Sequence, residues 1–438
     1  MTITVLLRVD GLTAPVFKHF LENHWLRVAR FRCMPVRKGG FWTWEEDELF
    51  RLRHHLLVEP EVLDEAQLRD WVSARLNQPL PDYRPRWCFW LLPRAQGGAA
   101  LLLRLHHCYA DGLSLIDLFE ALTTSVPDAL PSLPDSAGRV TSSARWFGAG
   151  WEWLQNQVTL AESGSVDGLD GDAEAGSGAR RQQLERVAWN GLKLVNELSQ
   201  YILEAEDTDT RLKPGLLGRR QCCWSAPVPL AAFRTIAGQT NCKINDVLLA
   251  CVARALRQQL EHDALDLDEV MLHAAVPVDI RGLLPDAVQP EPGELGNLFG
   301  TVFVPLPVDA DSALERLYRI KHETRRLKRS WQPGISWGLM CSAGLLPKHW
   351  QESVADLFCR KASAVVSNVP GSAEPRYLAG CRVREQMFWV PQSGDIGLGV
   401  SVVSYAGQVQ FGVVADEAVL PDPRPFLDDC VQALQDWQ

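Results

Sequence analysis

Two histidines, an aspartate and a glycine fall within the seven residues "HHCYADG", 106–112. An apolar run, "LLLRL", precedes them. Leu115, Leu118, Phe119 and Leu122 follow at the i, i+3, i+4, i+7 spacing of a helix. The pattern predicts a strand, a sharp turn at Ala110-Asp111-Gly112 and a helix, a geometry that presents side chains at a rim. A neutral imidazole, with a reference pKa of about 6.5, suits a general base near neutral pH. Neighbouring side chains on a strand point to opposite faces, so His106 and His107 are not expected to share one cleft. One is the candidate base and the other a packing residue. Asp111 either folds back toward the histidines or reaches an arginine. Two core-edge histidines before an ordinary Asp-Gly turn would give the same spacing, so spacing alone leaves both readings open. The chain carries its own control in "RLRHHLLVEP", where His54 and His55 have no Asp-Gly after them. That pair reads as structural.

The elements that must position these residues are mixed. "TITVLLRV" reads as a first strand, "APVFKHFLENHWLRVARFRC" as a helix running into another strand, 65–77 as a helix and 99–107 as a strand buried on both faces. This first block is α/β and ends near residue 140. Residues 162–179, "ESGSVDGLDGDAEAGSGA", offer almost nothing to bury and predict a mobile linker, flanked by helical stretches at 143–160 and 180–206. A second α/β block starts near Gln221. It holds a strong helix in "INDVLLACVARALRQQL", with Asn245 expected at the N-cap, and strands at 270–279, 300–306 and 363–367. "LGVSVVSYAGQVQFGVVA" predicts a hairpin turning at Ala406-Gly407. The expected division is 1–140, a crossover at 141–220, and 221–438.

Composition narrows the function classes. The net charge of -10 argues against a duplex-binding surface, which needs clustered Lys and Arg. Eleven cysteines without CxxC or Cys/His ligand spacing fit free thiols in a reducing compartment and give no support for a metal site. The N-terminus lacks a basic region and a small-residue cleavage site, so it does not read as a signal peptide. The charge-free run "SWQPGISWGLMCSAGLLP" contains two Pro and three Gly and is a poor spanning helix. A cytoplasmic protein, soluble or peripheral, is expected.

"HHCYADG" matches the HHxxxDG motif of the superfamily of chloramphenicol acetyltransferases, condensation domains and plant acyl-CoA-dependent transferases. "KINDVLLACVARALRQ" resembles the NDVVLA helix of the bacterial bifunctional wax ester synthase/diacylglycerol acyltransferases. "VPVDIRG" and "GNLFGTVFVPLPVD" resemble that family's Arg-bearing and GN-initiated strands, and "VVSNVPGSAEPRYLAGCRV" with "GLGVSVVSYAGQVQFGVVAD" resembles its C-terminal third. The family's PLDRSRPLW-like stretch stands here as "QPLPDYRPRWCFWL", with Arg86 where Leu is usual.

The resemblance implies two chloramphenicol-acetyltransferase-like α/β domains with a substrate channel between them. It implies an O-acyltransferase that moves a fatty acyl group from acyl-CoA to a long-chain alcohol or a diacylglycerol, with no cofactor. His107 would be the general base and His106 a supporting residue. Asp111 would anchor the turn, with Arg281 as its partner. Gly112 would leave the channel wall without a Cβ, and Asn245, Asp246, Asn297, Ser367 and Asn368 would line or orient substrate. Lys321, Arg325, Lys328 and Arg329, on one helical face, are expected to meet CoA phosphates or an anionic membrane, if they are more than a solvated face. "GISWGLMCSAGLL" is either a lipid-facing surface or a buried helix. A covalent route through Cys108 is the competing mechanism. Another alcohol acceptor, or a non-catalytic lipid-associated scaffold, is the alternative function. The implied location is the cytoplasm, with the inner membrane or lipid inclusions as a peripheral seat.

Overall fold

The computed structural model describes residues 1–134 and 205–438, apart from 39–40, 95–97, 262–265, 285–289, 292, 345–347, 393 and 438, together with 196, 197, 199, 201 and 203. The acidic stretch 162–179, its flank at 143–160 and most of 180–206 lie outside the described residues.

In chain order the first block contains β1 (Thr2–Asp10), α1 (Ala14–Asn23), β2 (Cys33–Lys38), β3 (Phe41–Glu46), β4 (Leu56–Val58), α2 (Glu65–Leu76), β5 (Trp87–Pro93), β6 (Gly98–His106) and α3 (Gly112–Leu122). The helix expected to run from residue 14 straight into a strand stops at Asn23. Two 3-10 turns follow, because Trp25 and Phe31 stack on each other at 3.9 Å in the core and draw the chain inward. α2 starts at a capping box in which Asp64 and Gln67 each accept the other's backbone N–H.

The second block contains β7 (Arg220–Trp224), β8 (Val228–Pro229), α4 (Leu230–Gln239), α5 (Ile244–Glu261), β9 (His273–Asp279) and β10 (Phe299–Pro305). It continues with α6 (Ala313–Lys328), α7 (Gln332–Ala343), α8 (Lys348–Arg360), β11 (Ala364–Pro370), β12 (Tyr377–Leu378), β13 (Cys381–Trp389), β14 (Leu398–Tyr405), β15 (Gln408–Asp416) and α9 (Arg424–Gln432). The β14–β15 turn has positive φ at both Ala406 (47°) and Gly407 (79°), as a two-residue hairpin whose twist matches its strands requires. α5 begins at Ile244, one residue before the expected N-cap. The Asp246 carboxylate takes the Lys243 N–H at 2.8 Å, so Asn245 sits inside the first turn.

Two mixed sheets result. One has the order β12-β13-β1-β6-β5-β4, the other β10-β9-β11-β14-β15-β7, with β8 on β15. The C-terminal third therefore lends β12 and β13 to the sheet built by the first block, where β13 runs antiparallel to β1. Leu6, Trp90 and Leu102 of the first sheet share one core with Trp224, Met387, Trp389, Val403 and Val414. The Trp224 and Trp389 rings meet edge-on at 5.4 Å across it.

α7 answers the question left by "GISWGLMCSAGLL". Its residues Gln332–Gly338 are buried, so this half of the helix is core and not a lipid-facing surface. It packs directly on β10: a Cβ on Gly300 would stand 1.9 Å from the Pro333 carbonyl oxygen. Among the described residues no helix is long and apolar enough to cross a membrane.

Candidate active site

β6 ends at His106, which pairs with Thr2 of β1. The turn comes immediately, at 107–109, three residues earlier than the expected 110–112. His107 N–H donates to the Met1 carbonyl at 3.0 Å and Tyr109 N–H to the His106 carbonyl at 3.1 Å. His106 Nδ1 accepts the Cys108 N–H at 3.2 Å, so its ring serves the turn. Burial, with nearby positive charge, pushes its pKa down to about 4. Tyr109 is fully buried. Its hydroxyl donates to the Cys33 carbonyl at 2.7 Å and accepts the Arg86 N–H at 3.1 Å. Cys108 is thus a turn residue. Side chains of an extended strand alternate between faces, but at this turn that rule does not set where Cys108 points.

Asp111 is the N-cap of α3 and the knot of the site. One carboxylate oxygen accepts the Ser114 N–H at 2.8 Å, and the other accepts the Leu298 N–H at 2.8 Å. Arg281 Nη2 reaches both oxygens at 3.1 Å and donates to Ser114 Oγ at 2.8 Å. The Asp111 backbone N–H donates to the Gly296 carbonyl at 2.9 Å. One buried carboxylate therefore binds α3 to the 296–298 segment and to the 3-10 turn at 281–283 that follows β9. The guanidinium is held by Asp279 on its other side at 2.8 Å, and these acidic partners outweigh burial, so its pKa is raised.

His107 stands against this knot. Asn297 Nδ2 donates to the His107 carbonyl at 2.9 Å, and the Phe299 ring lies 5.5 Å from the imidazole. Burial lowers its pKa below the ordinary value. Asp111, the residue's own carbonyl and the Asn297 side chain pull the other way without reversing the shift. The ring is therefore neutral at pH 7 and able to take a proton. It keeps part of its surface exposed.

A row of contacts connects the other expected residues to this turn. Gly112 opens α3 without a positive φ. A Cβ there would meet only Val369 Cγ2, at an ordinary 3.6 Å, so the protein's own packing does not demand glycine. Beside Val369, the Asn368 amide donates to Asn245 Oδ1 at 2.6 Å. Ser367 is buried in the same strand. Asp246 belongs to the scaffold: its carboxylate takes the Lys243 N–H and the Thr324 hydroxyl, the latter at 2.7 Å.

The Wax ester synthase/diacylglycerol acyltransferase catalytic domain model matches residues 16–248, and the WS/DGAT C-terminal domain model matches 295–438. The chain belongs to this family. It is 28% identical over 437 residues to a Mycobacterium tuberculosis protein named as a diacylglycerol O-acyltransferase, covering 93% of this chain and 85% of that one. It is 26% identical over 467 residues to wax ester synthase/diacylglycerol acyltransferase 8 of Arabidopsis thaliana, covering 98% and 88%. The wax ester synthase/diacylglycerol acyltransferase from Marinobacter aquaeolei VT8 superposes with a TM-score of 0.64 at 21% identity, over 100% of this chain and 94% of that one. The trichothecene 15-O-acetyltransferase from Fusarium sporotrichioides does so with 0.62 at 14% identity, over 100% and 91%. The fold is that of the two-domain acyltransferases.

Within this family fold, several members of the site are not evident in the sequence. Ser114 could have been found, because it stands three residues after an N-cap aspartate. Phe299 was in view inside "GNLFG" without a role. Arg30 was not in view: its Nη1 donates to the carbonyls of Tyr109 (3.1 Å) and Leu295 (2.6 Å), stitching the histidine turn to the second block. Trp337 Nε1 holds the Asn297 carbonyl at 3.2 Å from the buried half of α7.

Proposed function

We propose that this family member is an acyl-CoA-dependent O-acyltransferase. It moves a fatty acyl group to a long-chain alcohol, giving a wax ester, or to diacylglycerol, giving triacylglycerol. The observation that carries the mechanism is a single imidazole, His107, held neutral by burial at the seam where a turn of the first sheet meets the 296–299 segment of the second. The acceptor hydroxyl gives its proton to the imidazole as its oxygen attacks the thioester carbonyl carbon. The tetrahedral intermediate collapses by breaking the C–S bond. The departing CoA sulfur takes the proton back, leaving ester, CoA-SH and neutral His107. Both substrates meet at the base, approaching from separate mouths of a channel between the two sheets, so no covalent acyl-enzyme is needed. The thioester itself is the activated group, and no cofactor enters the scheme.

A positioned base contributes about 10²–10⁴-fold. Orientation and charge stabilisation supply the rest. Asp111 does not touch the reacting atoms in this scheme. It fixes the turn from which His107 projects and is paired away toward Arg281. The acceptors are water-insoluble, so the protein works in the cytoplasm as a peripheral visitor to the inner membrane or to lipid inclusions.

The test is purified protein with palmitoyl-CoA and a panel of hexadecanol, dioleoylglycerol and short alcohols, following free CoA and ester together. Release matched by wax ester or triacylglycerol is expected. Release only with a short alcohol would assign another acceptor, and none with any acceptor would leave a non-catalytic lipid-associated protein.

A further inference from the structure

An open cavity of about 560 Å³ lies at the start of α5. Three of its lining residues are cations, and they come from three separate elements: Arg234 from α4, Lys243 from the α4–α5 connection and Lys328 from the last turn of α6. All three are exposed, and among the described residues none has an ion pair or a side-chain hydrogen bond. No lining residue is acidic, in a chain whose net charge is -10. The nearby Asp246 carboxylate is buried and already taken by the Lys243 N–H and Thr324. Three unpaired cations on one cavity give it a local positive field in an otherwise acidic chain.

The cavity reaches β11 through Asn245. Asn245 lines it and accepts the Asn368 amide at 2.6 Å. Val369, the next residue of β11, points to the opposite face, where it meets Gly112, the first residue of α3 after the Asp111 cap. Of the four cations expected on one helical face, only Lys328 lines the cavity. Lys321 instead lies over the Tyr318 ring at 5.0 Å.

We propose that this cavity seats the phosphates of the acyl-CoA donor, with Arg234, Lys243 and Lys328 as their contacts. This rests on the acyl-CoA reading above and deepens it. Three cations and no acidic residue lining one open cavity fit a compact polyanion such as the clustered phosphates of CoA.

The experiment compares two donors, palmitoyl-CoA and palmitoyl-N-acetylcysteamine, which carries the same thioester and no phosphate. In the triple variant R234A/K243A/K328A, the ratio of kcat/KM for the CoA donor to that for the truncated donor should fall about tenfold or more, mainly through KM. Palmitoyl-3′-dephospho-CoA should lose less. Equal losses for both donors, or none for either, would overturn the subsite. Binding of free CoA, measured by calorimetry, should weaken by a similar factor. If the wild type turns over neither thioester, the acyl-CoA reading fails. The CoA binding measurement then judges the cavity alone, and equal affinity of wild type and variant would overturn it. A variant that loses only its affinity for phosphatidylglycerol vesicles would assign the cations to a membrane and overturn the proposal. The three side chains are exposed, so folding should survive. Should the triple variant fail to fold, Lys243→Ala alone should weaken CoA binding about threefold, and unchanged binding would count against the site.

Discussion

Two histidine pairs lie in the first block, and they differ in what reaches them. His55 is buried against its own half of the protein. Its Nδ1 bonds the Trp87 carbonyl at 2.8 Å, and its ring lies on Trp87 at 4.4 Å and on Phe50 at 4.9 Å. Nothing from the second block touches it in these contacts. His107 has the opposite surroundings: Asn297 and Phe299 come from the second block, and the Asp111–Arg281 knot fixes its turn across the same seam. Both rings are driven toward the neutral form by burial. A lowered pKa therefore does not separate a packing histidine from a base. Position at a seam does, because two substrates can only meet where two surfaces do.

The sharpest way to break this comparison is to remove the rings in turn. His107→Ala should lower kcat by about 10²–10⁴-fold with every acceptor while the melting temperature stays near that of the wild type. His106→Ala should keep a measurable rate, since its ring serves the 106–108 turn. Reversed severities would exchange the roles of the two residues.

Asp111→Asn comes next. The carboxylate accepts from Ser114, Leu298 and Arg281 at once. An amide can present only one oxygen and sets its NH2 against a donor. Arg281 is only partly buried and keeps Asp279, so the loss is that of a buried charged acceptor and its bonds, about 1–3 kcal/mol. Chemical denaturation should show a loss of that order, with kcat per folded molecule falling less. A variant of native stability and no turnover would make Asp111 a participant in the chemistry.

A smaller effect separates the pairs by pH. The folded-state pKa of His55 is about 4, below the ordinary 6.5, so in that interval the unfolded chain binds the extra proton. This term of stability is full above pH 6.5 and is lost as pH falls toward 4. His55→Gln should flatten the slope of stability against pH there by up to one proton, about 1.4 kcal/mol per unit at most, and leave kcat at pH 7.5 near the wild-type value. For His107 the same sign appears in catalysis: the acid limb of kcat/KM should lie below pH 6.5. A limb above it would mean that the ring is stabilised as the cation.

Much of this site was legible because its signals are local. Asp111 at an N-cap, the apolar stripe of α3 and the Ala406-Gly407 hairpin each depend on residues a few positions apart. Arg281 as the partner of Asp111 was a matter of family resemblance, not of spacing. What stayed hidden is non-local. "CRVREQMFW" forms β13, and no periodicity tells it to pair with β1 some 380 positions away. Arg30 looks like any helix-end arginine until the fold brings Leu295 beside it. The N-cap of α5 was misplaced for a subtler reason: asparagine is a good cap by type, but Asp246 captures the Lys243 N–H first.

The smallest expected effect belongs to Cys108, the residue between the two halves of the comparison. It adjoins the base and belongs to the turn, so geometry alone does not dismiss it as a nucleophile. Its ionisation does. Burial pushes its thiol up to about 11, against weaker pulls from Arg86 and Arg30. At pH 7 only about one molecule in 10⁴ would carry the thiolate, which is the nucleophilic form. His107 does not offset this, because a neutral ring supplies no positive charge to hold a thiolate. The reaction should therefore run through a ternary complex. Enzyme mixed with palmitoyl-CoA and no acceptor should release no stoichiometric burst of CoA and gain no acyl mass. Cys108→Ala should turn over within about twofold of the wild type, a change of about 0.4 kcal/mol in the barrier. A stoichiometric adduct that disappears in Cys108→Ala would replace direct transfer with an acyl-cysteine intermediate and make His107 the base of a Cys–His pair.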